Sequence, residues 1–105
     1  MITCPGAKMS TRVAASLLRA ACLPELIAES PAAYEELAVS LAMDSERLYS
    51  LRNKLEISRE TCPAFDTKRW VSNMEKGLQM AWDRHEKGML PDHVSVVDDD
   101  AVEIG

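Results

Sequence analysis

Prolines set the boundaries of the secondary structure that this chain can form. The five prolines stand at positions 5, 24, 31, 63 and 91 of 105 residues. A proline inside an α-helix removes a hydrogen bond and clashes with the preceding turn, whereas the first helical position accepts it well. The prolines therefore mark places where helices begin or end.

Helical periodicity in the first part of the chain predicts two helices. The first begins at Ser10 or Thr11 and ends before Pro24. The second begins at the pair Ser30-Pro31, because a serine caps a helix N-terminus and proline favours the first helical position. The apolar positions predicted to face inward are Val13, Ala14, Leu17, Leu18 and Ala21 in the first helix and Tyr34, Leu37, Ala38 and Leu41 in the second.

Two further helices and one short strand complete the prediction. The third helix begins at Asp44 or Ser45 and carries Leu48, Leu51 and Leu55 inside, and residues 61–63 end it. The fourth runs from residue 66 or 67 to about residue 87, where Gly88 favours a left-handed C-cap. Residues 1–3 are typical of the last part of a strand, closed by a turn at residues 4–6. One strand needs neighbours for its backbone donors and acceptors.

Composition and charge limit the function classes. Hydrophobic residues make up 47% and charged residues 28%, as in ordinary globular proteins. No apolar run reaches the roughly 18 residues of a membrane span, and the N-terminus has no apolar signal-peptide core. The net charge is −5, of which Asp98, Asp99, Asp100 and Glu103 supply four. The rest is near neutral, so nucleic acid and membranes are not predicted partners. Residues 94–105 are predicted to form a disordered acidic tail.

The residues that can carry chemistry do not form a recognisable motif. Cys4, Cys22 and Cys62 lie far apart without a CxxC pair, and the histidines at positions 85 and 93 are too widely spaced for a zinc site. No metal or cofactor is therefore predicted. A catalytic cysteine–histidine pair stays open, although free cysteines are more often simply packed in a core.

Three other groups of residues have a structural and a functional interpretation. Lys8 and Arg12 stand near the turn at residues 4–6, where they face a phosphate, lie in solvent or pair with a carboxylate. Glu35 and Glu36 are adjacent on a helix, so they point apart and do not form an acid–base pair. The basic residues Arg47, Arg52 and Lys54 are too scattered for a lipid-binding cluster.

The fourth helix carries an apolar stripe that includes both tryptophans. A spacing of four residues places its members on one helical face, which favours packing in a core over an aromatic binding platform. His85 lies on the same stripe and is predicted to be structural. The stripe consists of Trp70, Met74, Leu78, Ala81, Trp82 and His85.

Four sequence segments resemble the C-terminal end of the protein O-GlcNAc transferases, glycosyltransferase family 41. They are TRVAASLL at 11–18, ELIAESPAAYEELAVSLA at 25–42, TCPAFDTKRWVSNMEKGLQMAW at 61–82 and LPDHV at 90–94. The order and spacing match from about residue 1 to residue 94, and YEELAVSLA and the TCPAFDT region are nearer to the plant and algal type.

The resemblance implies a fold and an activity. Members of the family are GT-B glycosyltransferases with two Rossmann-like lobes and an N-terminal array of tetratricopeptide repeats. They transfer N-acetylglucosamine from UDP-GlcNAc to serine and threonine hydroxyls of nuclear and cytoplasmic proteins, without an essential metal. Residues 1–93 would then be a mostly α-helical fragment of the second lobe, with one strand remnant at the N-terminus.

The resemblance assigns no catalytic, substrate-binding or metal residue to this chain. The family's donor-binding lysine, its His/Thr-rich loop and its ribose-binding aspartate correspond to positions upstream of residue 1. Ala7 stands where the family usually has glutamate, and Tyr49-Ser50 replaces the animal members' paired lysines, so neither contact is carried over. The segment is expected to be structural and inactive alone, reaching UDP-GlcNAc and protein acceptors only through the upstream region. The alternatives are a segment of a protein O-fucosyltransferase, or a non-catalytic helical interaction module left by truncation.

Overall fold

A computed structural model describes residues 1–99, and these residues are mostly helical. Four α-helices lie within this part of the chain: α1 (Val13–Ala20), α2 (Pro31–Met43), α3 (Ser45–Ser58) and α4 (Thr67–Glu86). Short 3-10 turns occur at Met9–Thr11, Pro24–Leu26 and Pro63–Phe65. The chain divides into two compact units, the first covering Met1–Phe65 and the second beginning at Asp66.

Side-chain caps begin three of the helices, at the positions that the sequence predicts. The hydroxyl of Ser30 accepts a hydrogen bond from the backbone N–H of Ala33 at 3.1 Å, and proline follows it at the first position of α2. The carboxylates of Asp44 and Asp66 accept from backbone N–H groups of α3 and α4 at 2.9 and 3.0 Å. Each cap satisfies an N–H group that has no partner inside its helix.

The end of α4 also follows the prediction. Gly88 has a φ of 66°, and its N–H donates to the carbonyl of His85 at 2.9 Å. The N–H of Met89 donates to the carbonyl of Arg84 at 3.1 Å. These two bonds form a Schellman motif, in which glycine adopts the left-handed conformation with little strain.

The end of α1 differs from the prediction, because this helix stops at Ala20 rather than continuing to Pro24. Cys22 adopts a φ of 60°, and its N–H donates to the carbonyl of Arg19 at 3.0 Å. The N–H of Leu23 donates to the carbonyl of Leu18 at 2.8 Å. The result is a second Schellman motif, with cysteine in the position that glycine usually takes.

The core of the first unit forms around this turn. Leu18 and Leu23, which the Schellman motif brings together, are buried with Leu26 and Leu41. This apolar contact across the motif accompanies many such helix ends. The half-buried residues that pack against the cluster are Ile2, Ile27, Leu37 and Leu51.

The predicted strand at residues 1–3 is reduced to a single bridge. Thr3 pairs in parallel with Ile27: its N–H donates to the carbonyl of Leu26 at 3.0 Å, and its carbonyl accepts from Ala28 at 2.7 Å. A ladder needs several such pairs in succession. Residues 1–99 therefore contain no strand, and the expectation of a strand remnant is corrected to an isolated parallel bridge.

In the second unit, the segment after α4 returns along the helix. We call residues 89–99 the strap. The guanidinium of Arg84 donates to the carbonyl of Leu90 at 2.6 Å. Three ion pairs also join helix and strap: Arg84 with Asp92 at 3.4 Å, Arg69 with Asp98 at 2.7 Å and Lys76 with Asp99 at 2.5 Å.

The predicted acidic tail falls partly on the strap. Residues 94–98 have no regular secondary structure, yet Asp98 and Asp99 are joined to α4 by the ion pairs just described. Residues 100–105 lie outside the described residues. A boundary at residue 94 and a disordered tail therefore stay predictions.

The prediction that the stripe of α4 lies in a core is wrong for the described chain. Trp70 is 63% exposed, Leu78 59% and Trp82 57%, and α4 has no buried residue. Periodicity identifies a shared face, but burial also requires a second surface against that face. The rings of His85 and Trp82 lie 5.6 Å apart, so the histidine contacts a neighbour on the stripe.

Removing the cap of α2 tests how the first unit depends on local signals. Ser30→Ala should lower the free energy of unfolding by about 1 kcal/mol, because the Ala33 N–H loses its partner at a helix start. Urea unfolding followed by circular dichroism measures the change. Ser50→Ala, on the exposed surface of α3, is the matched control and should shift stability by less than about 0.5 kcal/mol. Equal effects of the two substitutions would contradict the role of the cap.

Candidate functional site

The turn before α1 is the first place where the sequence suggested a ligand. Lys8 and Arg12 are both exposed, and the Thr11 hydroxyl donates to the carbonyl of Lys8 at 2.7 Å. A depression of about 320 Å³ lies beside the helix and contains Arg12, Ser16 and Arg19. Its basic side chains reach into solvent, which favours the interpretation of Lys8 and Arg12 as solvated surface residues.

A larger apolar groove lies in the first unit. Its volume is about 570 Å³, and it opens over the leucine cluster between α1 and α3. The leucines that α3 was predicted to turn inward line this groove and remain partly exposed. Its principal lining residues are Ile2, Leu17, Leu26, Leu48, Leu51 and Leu55. An apolar surface of this kind is typical of a packing face for another element.

An ion pair holds α3 to the turn that carries Leu26. The Nζ of Lys54 donates to Oε1 of Glu25 at 2.6 Å. Burial raises the pKa of the Glu25 carboxyl, but the hydrogen bond from Lys54, a backbone hydrogen bond and the nearby charges of Lys54 and Arg47 outweigh it. The net pKa of Glu25 lies below its ordinary value. The pair therefore stabilises the contact between α3 and the Pro24–Leu26 turn while the carboxylate is ionised.

The exposed stripe of α4 is the corresponding apolar surface of the second unit. Trp70, Val71, Met74, Leu78 and Trp82 are all exposed along this helix. Neither this stripe nor the groove presents a polar group that is buried without a hydrogen-bond partner among residues 1–99. Both surfaces are suited to packing rather than to acid–base or nucleophilic chemistry.

The residues predicted to be candidates for chemistry are not assembled into a site. Cys62 is 2% exposed, which fits a packed free thiol, while Cys4 and Cys22 are half-buried. Glu35 and Glu36 are exposed on α2. Across residues 1–99 no group of three or more histidine, cysteine or acidic side chains is arranged to hold a metal ion. Within the same residues, no helix has the length and apolarity needed to cross a bilayer.

Comparison with known proteins provides the assignment that the side chains do not. Residues 1–74 match the model of glycosyl transferase family 41. The chain belongs to this family. The resemblance stated from the four sequence segments is therefore confirmed, and the match covers the whole first unit and the first part of α4.

Relatives in plants and a nematode match over most of the chain. It is 46% identical, over 95% of its length, to the Arabidopsis thaliana protein named probable UDP-N-acetylglucosamine–peptide N-acetylglucosaminyltransferase SEC. It is 37% identical over 90% to a Caenorhabditis elegans UDP-N-acetylglucosamine–peptide N-acetylglucosaminyltransferase. It is 31% identical over 86% to a Petunia hybrida protein named as a probable enzyme of the same kind, SPINDLY. The identity to the Arabidopsis SEC protein exceeds that to the nematode protein, which agrees with the predicted likeness to the plant type, whereas the identity to the Petunia SPINDLY protein is lower than both.

The matched part of each relative is small. The chain spans 10% of the length of the Arabidopsis and Petunia relatives and 8% of the nematode relative. These relatives are all named N-acetylglucosaminyltransferases, so their names do not favour the fucosyltransferase alternative.

The pair of Glu25 and Lys54 predicts a pH dependence of stability. Because the pKa of Glu25 is lower in the folded chain than its ordinary value of 4.5, its contribution is complete above 4.5 and is lost as the pH falls through the folded-state pKa. Both side chains are partly exposed, so the contribution should be about 0.2–1 kcal/mol. Urea unfolding at pH 7 and pH 3 measures it. Glu25→Gln should lower stability at pH 7 and have little effect at pH 3. An equal loss at both values would contradict the assignment.

Proposed function

We propose that this chain is the C-terminal part of the catalytic region of a protein O-GlcNAc transferase. The complete enzyme would transfer N-acetylglucosamine from UDP-GlcNAc to serine and threonine hydroxyls of nuclear and cytoplasmic proteins. The observation that carries the proposal is the family match over residues 1–74, together with 46% identity to the Arabidopsis relative. The relatives' names supply the donor and the class of acceptor.

The parallel bridge supports placement of the first unit in a Rossmann-like lobe. Thr3 and Ile27 pair in parallel, and α1 lies in the crossover between them. A strand, a helix and a parallel strand in that order are the repeating unit of such lobes. We infer that residues 1–3 and the region of residue 27 become neighbouring strands when the rest of the sheet is present.

The role of the segment in that enzyme is structural. In this proposal the first unit packs behind the donor-site strands of the second lobe, and α4 braces the enzyme's first lobe. The groove over the leucine cluster and the exposed stripe of α4 support this role, because each leaves apolar area open to another surface. In this proposal the donor site is formed by upstream residues, as the family resemblance implies.

Exchange of the segment between proteins tests the proposal. Our chain should replace the matched segment of the Arabidopsis relative and preserve UDP-GlcNAc-dependent labelling of a peptide acceptor within about tenfold. The relative without the segment and the 105-residue chain alone are the controls, and both should be inactive. A soluble, folded chimera without transfer activity would contradict the proposal. Turnover by the chain alone would contradict the structural role.

Truncation of Trp70 distinguishes an exposed stripe from a covered one. In the isolated chain, Trp70→Ala should change the free energy of unfolding by less than about 1 kcal/mol, since the side chain is 63% exposed. In the active chimera, where the stripe would be buried, the same substitution should cost about 3–5 kcal/mol. Thermal unfolding measures both, and activity should fall with the soluble fraction while the KM for UDP-GlcNAc is unchanged.

Lys68→Ala, on another face of α4, is the matched control and should be nearly neutral in both proteins. A stable Trp70→Ala chimera with a tenfold higher donor KM would show instead that α4 reaches the nucleotide site.

A further inference from the structure

Three cationic side chains of α4 form a basic face that is separate from the apolar stripe. Arg69, Lys76 and Arg84 fall within an arc of about 80° when each residue turns the helix by about 100°. Trp70, Met74 and Leu78 lie on a neighbouring side of the same helix. The second unit therefore presents one apolar face and one basic face.

The strap occupies the basic face along its length. Each of the three cations pairs with an aspartate of the strap, at separations of 3.4 Å or less. In these pairs the Arg69 side chain is 14% exposed and that of Arg84 28%. Ion pairs spaced along a helix fix the register of an extended segment, although each exposed pair contributes little alone.

A glycine in the middle of α4 allows the strap to contact the helix closely. Charge alone does not explain this contact. Glycine destabilises the interior of a helix relative to alanine. A Cβ atom on Gly77 would lie 3.3 Å from Cγ2 of Val96, closer than ordinary van der Waals contact. The missing side chain thus allows the valine of the strap to approach the helix between the ion pairs.

We propose that the strap is an intramolecular acidic ligand that covers a peptide-binding face of α4. The face consists of Arg69, Lys76 and Arg84 together with the space beside Gly77. It binds an extended acidic segment that has a small branched residue between its aspartates. When the strap detaches, the face binds such a segment of a partner protein in its place. This inference is independent of the proposed transferase function, since its test uses the 105-residue chain alone.

Competition with a labelled peptide tests the proposal. The probe is a fluorescein-labelled peptide with the sequence of the strap, MLPDHVSVVDD, and its binding is followed by fluorescence anisotropy at 50 mM and 500 mM salt. The triple variant Asp92→Asn, Asp98→Asn and Asp99→Asn releases the chain's own strap. It should bind the probe at least tenfold more tightly than the unaltered chain, and high salt should weaken binding because it screens exposed charges.

Matched variants separate the effect of the basic face and of Gly77 on binding from the effect of net charge. The triple variant Glu35→Gln, Glu36→Gln and Glu75→Gln makes the same change in net charge away from the basic face, and it should bind like the unaltered chain. Arg69→Gln, Lys76→Gln and Arg84→Gln, added to the released variant, should abolish binding. Gly77→Ala in the released variant should weaken binding several-fold while the helix stays folded by circular dichroism.

Four outcomes would overturn the proposal. They are equal probe affinity in the released and unaltered chains, equal affinity for a scrambled probe, no effect of the three basic substitutions, and dimerisation of the unaltered chain through exchanged straps, as measured by sedimentation.

A proton contact in the unaltered chain gives a test that does not depend on whether the variants fold. Because Val96 lies against Gly77, a nuclear Overhauser effect between the Val96 methyl groups and the Gly77 α protons should be present at 50 mM salt and weaken at 500 mM. Its absence at low salt would also overturn the proposal.

Discussion

The left-handed turn at Cys22 is the constraint on which the first unit depends. It stops α1 at Ala20 and directs the Leu23 N–H to the carbonyl of Leu18. The chain then returns through the Pro24–Leu26 turn, so that Leu26 joins the buried cluster and Ile27 reaches Thr3. Cysteine adopts this backbone conformation less easily than glycine. The apolar contact across the turn and the two capping hydrogen bonds offset that strain.

Features that depend on near neighbours were predictable from the sequence, and those that depend on distant ones were not. The caps of α2, α3 and α4 involve residues three positions apart, so Ser30 and its counterparts were identified correctly. The turn at Cys22 was missed because the usual signal is glycine. The contact of Arg69 with Asp98 joins residues 29 positions apart, and no local pattern announces it. The mid-helix Gly77 was the one available signal of a close approach to α4.

The functional assignment had to come from resemblance because residues 1–99 show neither a cluster suited to a metal ion nor a buried polar side chain without a partner that would point to a reaction. Composition and charge predicted no nucleic-acid or membrane partner, and the four sequence segments pointed to glycosyl transferase family 41, to which the chain belongs. The wrong prediction that the α4 stripe is buried and the structural role proposed for α4 both concern the same apolar face. Periodicity correctly identified an apolar face, and that face is open in the described chain. A segment that covers about a tenth of its relatives' length is expected to leave such surfaces uncovered.

Solvent exposure of the two tryptophans tests the account most directly. The chain would be labelled with 5-fluorotryptophan, and each ¹⁹F resonance would be assigned with a tryptophan-to-phenylalanine variant. The solvent-isotope shift between H₂O and D₂O would then be measured before and after addition of the Arabidopsis relative's upstream catalytic region. The account predicts a large shift for Trp70 and Trp82 in the free chain and its loss in an active, reconstituted enzyme. Full solvent-isotope shifts of both resonances in that active enzyme would contradict it.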